Sequence, residues 1–340
     1  MIDELPGTWS TRACSVVPLT AKSLAPLPGG WLALTAEGLV EIPDRGELGA
    51  PEPLAGPAPE DDDPRNPHSP ALHVSADGRF VAVVIDYGRH GQLHDRRTGQ
   101  LVRGLDLDHL DPDVQRFPAA FAVVAGRTVL VAGSEWNRLD VYDPATGRCL
   151  TERTTDDHEA EDYLDYFHAS LVPSPFGRRL CDTGWVWHPD AMPAIVDLVA
   201  WLGGDSHAAE HPVFLATRGS KHWDQPVAWI DEDTVAVQPV DAYQLVTTGR
   251  VVIYSATTGR QIGEFAGPAG PMWGYGGLVY VQAADGLEAW DPASGKRIGV
   301  LSGFHPIGHD PNSGAFAELA DGSLRVWTPM AQFGRSPDAE

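Results

Sequence analysis

One signature recurs four times along the chain and restricts its folding more than any other feature. An apolar run leads to an aromatic residue or histidine, then Asp or Ser, and a few residues later to Thr or Ser followed by Gly. The copies read Leu93-His94-Asp95-Arg96-Arg97-Thr98-Gly99-Gln100, Val141-Tyr142-Asp143-Pro144-Ala145-Thr146-Gly147-Arg148, Ile253-Tyr254-Ser255-Ala256-Thr257-Thr258-Gly259-Arg260 and Ala289-Trp290-Asp291-Pro292-Ala293-Ser294-Gly295-Lys296. Each has the chemistry of a strand ending in a tight turn. The Asp carboxylate can accept from the backbone N–H two residues on, Pro presets φ where it occurs, and Gly takes the left-handed position. A second apolar stretch follows each turn (Leu101 to Leu107, Cys149 to Thr151, Gln261 to Phe265, Ile298 to Leu301), so each signature marks a hairpin.

A second repeated piece lies upstream of these turns. Gly30, Gly78, Gly126, Gly177, Asp233, Gly277 and Gly314 each open a β-rich run. They stand about 47 residues apart on average, the spacing of a repeat architecture. Seven such units, each of four short strands with no amphipathic helix between them, account for nearly the whole chain. The 36 Gly and 29 Pro suit a protein made of many turns. The expected fold is therefore all-β: a seven-bladed β-propeller of four-stranded antiparallel blades, forming one domain over 12–330. The blades are expected near 24–50, 71–107, 117–153, 165–204, 225–266, 271–302 and 306–329, the last completed by an N-terminal strand at 12–20. That strand is expected to pair with Leu324 to Trp327 and convert two open sheet edges into one ladder. Residues 51–70, rich in Pro and acid, read as a mobile connection, and 331–340 as a polar tail.

Trp290-Asp291 and Tyr142-Asp143 stand where WD40 repeats end their third strand with Trp-Asp, and the D-x-x-T-G-R type of turn is that of YVTN propellers. The chain resembles a bacterial WD40-like or YVTN (quinoprotein-like) seven-bladed β-propeller over roughly residues 12–330. The Gly-His pair usual earlier in a WD40 repeat is not reproduced, and His73 stands as its remnant. The resemblance implies inner strands lining a central channel. It also implies one face built from the loops entering those strands and the loops joining second to third strands. It does not imply a function, because the fold hosts many.

Charge narrows the classes of partner. Forty-seven acidic residues against 24 Lys and Arg give a formal net charge of −23, which argues against nucleic acid or an anionic membrane as ligand. No apolar run is long enough to span a bilayer. The start, MIDELPGTWS, has neither a basic nor an apolar signal region, so a cytoplasmic monomer is expected. Cys14, Cys149 and Cys181 are too scattered for a disulfide framework or a C-x-x-C metal site.

Histidines and tryptophans collect on the face that the resemblance implies. A binding surface is expected at Arg89, Trp136, Trp185, Trp187, His188, Trp223, Tyr243 and Trp273, large or partly polar side chains of the kind found at interface hot spots. Some of these tryptophans would equally fill gaps between blades. His68, His168, His222 and His309, from four blades, could ligate a divalent metal such as Zn²⁺ at the channel mouth. Asp165, Asp224 or Asp310 would then act as base or outer-shell carboxylate. The same histidines would serve equally as strand caps, and no H-x-H or H-E-x-x-H spacing singles out the metal. No G-x-S-x-G, phosphate loop or G-x-G-x-x-G occurs, so no catalytic residue is assigned and no cofactor beyond that metal is expected.

The run Asp156 to His168 packs six acids and three aromatics into 13 residues and could grip a basic partner. Unit four departs from the pattern: Ala194 to Leu202 replaces the Thr-Gly turn, through relaxed divergence or contact of that edge with something else. The function expected is a non-enzymatic propeller binding a protein or peptide, basic ones included, through an acidic His- and Trp-rich face. The alternatives are a metal-dependent hydrolase or lyase and a small-molecule sensor.

Overall fold

The computed structural model describes residues 4–14, 24–54, 56–57, 68–107, 115–135, 137–154, 163–186, 190–217, 224–240 and 249–330. Within them the protein is all-β, with eight antiparallel sheets of three or four strands and a single short helix, Leu198–Leu202. Contacts gather into two units, 19–212 and 1–18 with 213–340.

In the unit of residues 19–212, sheets follow one another in chain order. The first contains Leu24–Leu27, Gly30–Thr35 and Gly38–Pro43. The second contains Ser69–Val74, Phe80–Asp86, His90–Asp95 and Gln100–Asp106. Ala119–Val124, Arg127–Glu135 and Arg138–Tyr142 make the third, and Leu171–Pro173, Arg179–Asp182 and Ala194–Asp197 run together in the fourth. Phe80–Asp86 (FVAVVID) is buried at every position, as a central strand covered on both faces must be. Its Val81 and Val83 pack with Leu27, Leu32, Leu39 and Leu72 between the first and second sheets.

The recurring turn has the chemistry expected of it. Asp95 Oδ1 accepts from the Arg97 N–H at 3.0 Å, the Gly99 N–H donates to the Asp95 carbonyl at 2.8 Å, and Gly99 sits at φ 69°. Asp143 and Gly147 repeat this, with distances of 2.9 and 2.8 Å and φ 69°. Register shifts at Leu93/His94, Ile253/Tyr254 and Ala289/Trp290 leave one extra residue, Val102, Ile262 and Ile298, on the strand that follows the turn in three of the repeats. A bulge there bends the outermost strand and strengthens its twist.

The unit of residues 1–18 with 213–340 holds three more sheets. They are Val227–Trp229, Thr234–Val237, Arg250–Ser255, Gln261–Ala266; then Met272–Tyr275, Leu278–Ala283, Gly286–Asp291, Lys296–Ser302; then Gly308–His309, Phe316–Ala320, Ser323–Pro329 with Gly7–Ala13. The chain's first strand thus pairs antiparallel with its last, Trp9 opposite Trp327 and Arg12 opposite Leu324. It runs Gly7–Ala13 rather than 12–20, of which 15–20 lie outside the described residues. The later position is the stretch that runs directly ahead of the first sheet. An outermost strand is solvated on both faces, however, and Thr8, Trp9 and Thr11 supply β-preference without an apolar pattern. Leu5 anchors this end in a cluster with Tyr280, Phe304, Phe316 and Trp327.

Unit four is where the structure adds most. Besides its larger sheet it carries a small one, Tyr166–Phe167, Trp185–Val186 and Asp190–Ala191. After Ala194–Asp197 the Asp197 carboxylate accepts from the Ala200 N–H at 2.9 Å and starts the helix Leu198–Leu202. That helix buries Leu198 and Trp201 against Val129, Val131, Leu139 and Val141 of the third sheet. The missing Thr-Gly turn is thus replaced by a helix that fills the same core. Of the Pro- and acid-rich connection expected at 51–70, residues 55 and 58–67 lie outside the described residues, as does the polar tail expected at 331–340.

Candidate functional site

Each expected site residue that is described falls into one of a few local settings. His168 and Trp185 come together with Asp165 around the small sheet of unit four. His168 Nδ1 donates to Asp182 Oδ2 at 2.6 Å, and the other Asp182 oxygen accepts from the Ala169 and Gly184 N–H groups at 3.0 and 2.9 Å. The carboxylate is fully buried and fixes the imidazole against the Tyr166 ring, centroids 5.2 Å apart. Trp185, 8% exposed, stacks on Phe167 at 4.1 Å while its Nε1 donates to Gln115 Oε1 at 3.2 Å. Exposed Asp165 accepts from Asn137 Nδ2 at 2.9 Å, and Asn137 itself is left-handed at φ 54° in the hairpin turn before Arg138.

A second group lies around Phe316. Trp273, half-buried, meets that ring edge-on at 5.8 Å, and His309 lies 4.5 Å from it and 6.4 Å from Tyr275. Burial pushes the His309 imidazole down to about 4, against a smaller opposing pull from Asp310, so it is neutral at pH 7. Asp310 is occupied with its own turn, accepting from the Asn312 N–H at 3.0 Å and the Ser313 hydroxyl at 2.5 Å. Asp224 is half-buried and adopts the left-handed region at φ 72°. Arg89 is exposed, and its carbonyl accepts from Leu107 N–H at 2.9 Å; His68 is half-buried just ahead of Ser69–Val74. Trp136, Trp187, His188, His222, Trp223 and Tyr243 lie outside the described residues, as does most of the acidic run 156–168.

Burial raises Cys181 and Tyr166, the neighbours of the His168–Asp182 pair, well above their usual ranges, so neither supplies an anionic nucleophile. Among the described residues no three His, Cys, Asp or Glu side chains are grouped to hold a metal ion. Nor is any helix among them long and apolar enough to cross a membrane.

No family model matches the chain, and no curated protein matches it significantly.

Buried polar groups also stand at the ends of second strands, Asp182 and Gln238 among them passed over by sequence reasoning. Asp86 accepts from the Phe117 N–H at 3.3 Å, and Gln238 Oε1 accepts from the Gly270 N–H at 2.9 Å. Asp182 belongs to the same set. All three follow an apolar strand at a fixed place in the repeat, which was the available signal. Asp140 had no such signal. It accepts from Ser134 Oγ, Arg138 Nε, Thr151 Oγ1 and Arg153 Nη1 at 2.6, 2.9, 3.0 and 2.8 Å. Beside it a groove of about 220 Å³ opens between strand Gln100–Asp106 and the hairpin Arg127–Tyr142.

Proposed function

We propose that this chain is a non-enzymatic interaction protein, a seven-bladed β-propeller that offers an acidic surface to a basic protein or peptide. What supports the blade count is the succession of seven antiparallel sheets in chain order, with the small sheet as an addition to the fourth. The pairing of Gly7–Ala13 with Ser323–Pro329 supports a ring joined at its ends.

The observation that carries the binding reading is how the few cations are used. Arg79 meets Asp95, Arg96 meets Glu41 and Glu52, Arg127 meets Asp143, and Arg138 and Arg153 meet Asp140. Arg250 meets Glu264, Arg297 meets Glu288 and Arg325 meets Glu318. These eight arginines are already held in ion pairs, and acids exceed bases by 23 over the whole chain, so an excess of carboxylates has no cation of its own. Such a field steers a basic partner toward the surface and repels nucleic acid and anionic membrane. The protein then acts as a monomer in the cytoplasm.

Affinity purification of the tagged full chain from its host, at low and high ionic strength, tests this reading. The expected result is a stoichiometric partner with a surplus of Lys and Arg whose association weakens steeply as salt rises. A stoichiometric partner that is acidic, or one retained equally at both salt concentrations, would overturn it.

A further inference from the structure

Arg103 differs from the arginines around it. Arg79, Arg96, Arg138 and Arg153 each reach a carboxylate at 2.6 to 2.9 Å, whereas Arg103 reaches none among the described residues. Its Nη1 donates to the Gly147 carbonyl at 2.9 Å, and its guanidinium lies 4.4 Å from the centroid of the Tyr142 ring. These contacts hold the planar fork in place and leave most of its five N–H donors uncommitted. Burial pushes the Tyr142 phenol up to about 12, so the ring beneath the cation is neutral.

The groove that Arg103 lines also carries Asp106, Glu135 and Glu152. Asp106, 65% exposed, meets His90 Nδ1 through Oδ1 at 2.6 Å, Glu135, 57% exposed, lies 3.9 Å from Arg138, and Glu152 has no cationic partner among the described residues. Opposite charges on long side chains close a salt bridge when the walls bearing them touch. Arg138 of the same lining does so, meeting Glu135 at 3.9 Å and Asp140 at 2.9 Å, whereas Arg103 closes none among the described residues. The groove's volume of about 220 Å³ is smaller than the roughly 300–1,000 Å³ of sites for drug-sized ligands, and suits a molecule the size of one amino acid.

We propose that this groove binds a small zwitterion of the α-amino-acid class, its carboxylate on Arg103 and its ammonium on Glu152 with Asp106 or Glu135. A ligand bearing one charge is poorly served. A bare anion enters a lining in which carboxylates outnumber arginines, and a bare cation meets Arg103. A dipolar ligand satisfies both walls without changing the groove's net charge, and a planar carboxylate matches the guanidinium fork. Gly104 leaves space for it: a Cβ there would meet only Asp106 Oδ2, at 3.6 Å. This site is independent of the basic-partner reading, since it needs no second protein.

Saturation-transfer NMR on the full chain with each of the twenty common amino acids, and with acetate and methylammonium as single-charge controls, tests the proposal. At least one amino acid should bind with a millimolar or tighter Kd, and neither control should. Arg103→Met and Glu152→Gln should each weaken binding about tenfold, the loss of one charged hydrogen bond, and Gly104→Leu should abolish it by filling the groove. Glu152→Gln alters only an exposed carboxylate, so it carries the test if Arg103→Met fails to fold. No binding by any amino acid, binding of acetate equal to that of the zwitterion, or affinity unchanged in both Glu152→Gln and Gly104→Leu would overturn the assignment.

Discussion

Replacing Arg153 by Met should destabilise the unit of residues 19–212 more than any surface charge deletion. The Arg153 side chain is 2% exposed, and its partners Asp140 and Glu210 are 5% and 6% exposed. It donates from Nη1 to Asp140 at 2.8 Å, from Nε to Glu210 at 2.9 Å and from Nη2 to the Leu139 carbonyl at 3.0 Å, and it pairs a second time with Glu210. Its guanidinium also lies 5.3 Å from the Trp201 ring that the fourth unit's helix buries. Removing one partner of a buried pair leaves an uncompensated charge and costs about 3–5 kcal/mol. Asp140 would keep Arg138, Ser134 and Thr151, but Glu210 has no other cation among the described contacts. Most of the loss should therefore come from Glu210. Urea unfolding followed by tryptophan fluorescence should show a lower midpoint at unchanged slope, and Arg153→Met with Glu210→Gln should recover more than half of the loss. A single variant within about 1 kcal/mol of the wild type would fall in the range of an exposed pair, and would refute the view that this cluster fastens the insertion of the fourth unit to the third sheet.

Two further outcomes follow from the last sheet. Deleting residues 1–13 should uncover the edge Ser323–Pro329 together with Trp327, and raise light scattering on concentration. Gly7→Ala is the milder variant: its Cβ would fall 2.1 Å from Trp327 Nε1 and 2.6 Å from the Thr328 carbonyl, an overpacking cost of about 1–3 kcal/mol in urea unfolding. A stable, monomeric truncation would contradict this role for the strand. At His309 the folded-state pKa is depressed, so the unfolded chain binds more protons between the ordinary 6.5 and about 4. Its stabilising contribution is full above pH 6.5 and is lost as pH falls through that window. Urea midpoints against pH should flatten there in His309→Phe, and an unchanged slope would count against a buried neutral imidazole.

Much of the strand order was legible because turn chemistry is local. Asp95 and Gly99 act within one five-residue loop, so their types alone predict the geometry found. The first strand was placed too late because an outermost strand, wet on both faces, lacks the alternation that marks its neighbours. The helix Leu198–Leu202 was missed because its five residues are too short for a periodic pattern, and its stability comes from burying Trp201 in another sheet's core. At the site, residue types were readable but their company was not. His168 meets a carboxylate fourteen residues away, and Trp185 an amide seventy residues away.

Repeat length, β-class and the acid excess thus belong to the order of residues, since each rests on neighbours in the chain or on a simple sum of charges. Tertiary structure alone settled which carboxylate holds which cation, and left Arg103 facing a groove in place of a partner. The reason is range. Hydrogen bonds and ion pairs act over a few ångströms, and only folding decides which distant segments come within that reach.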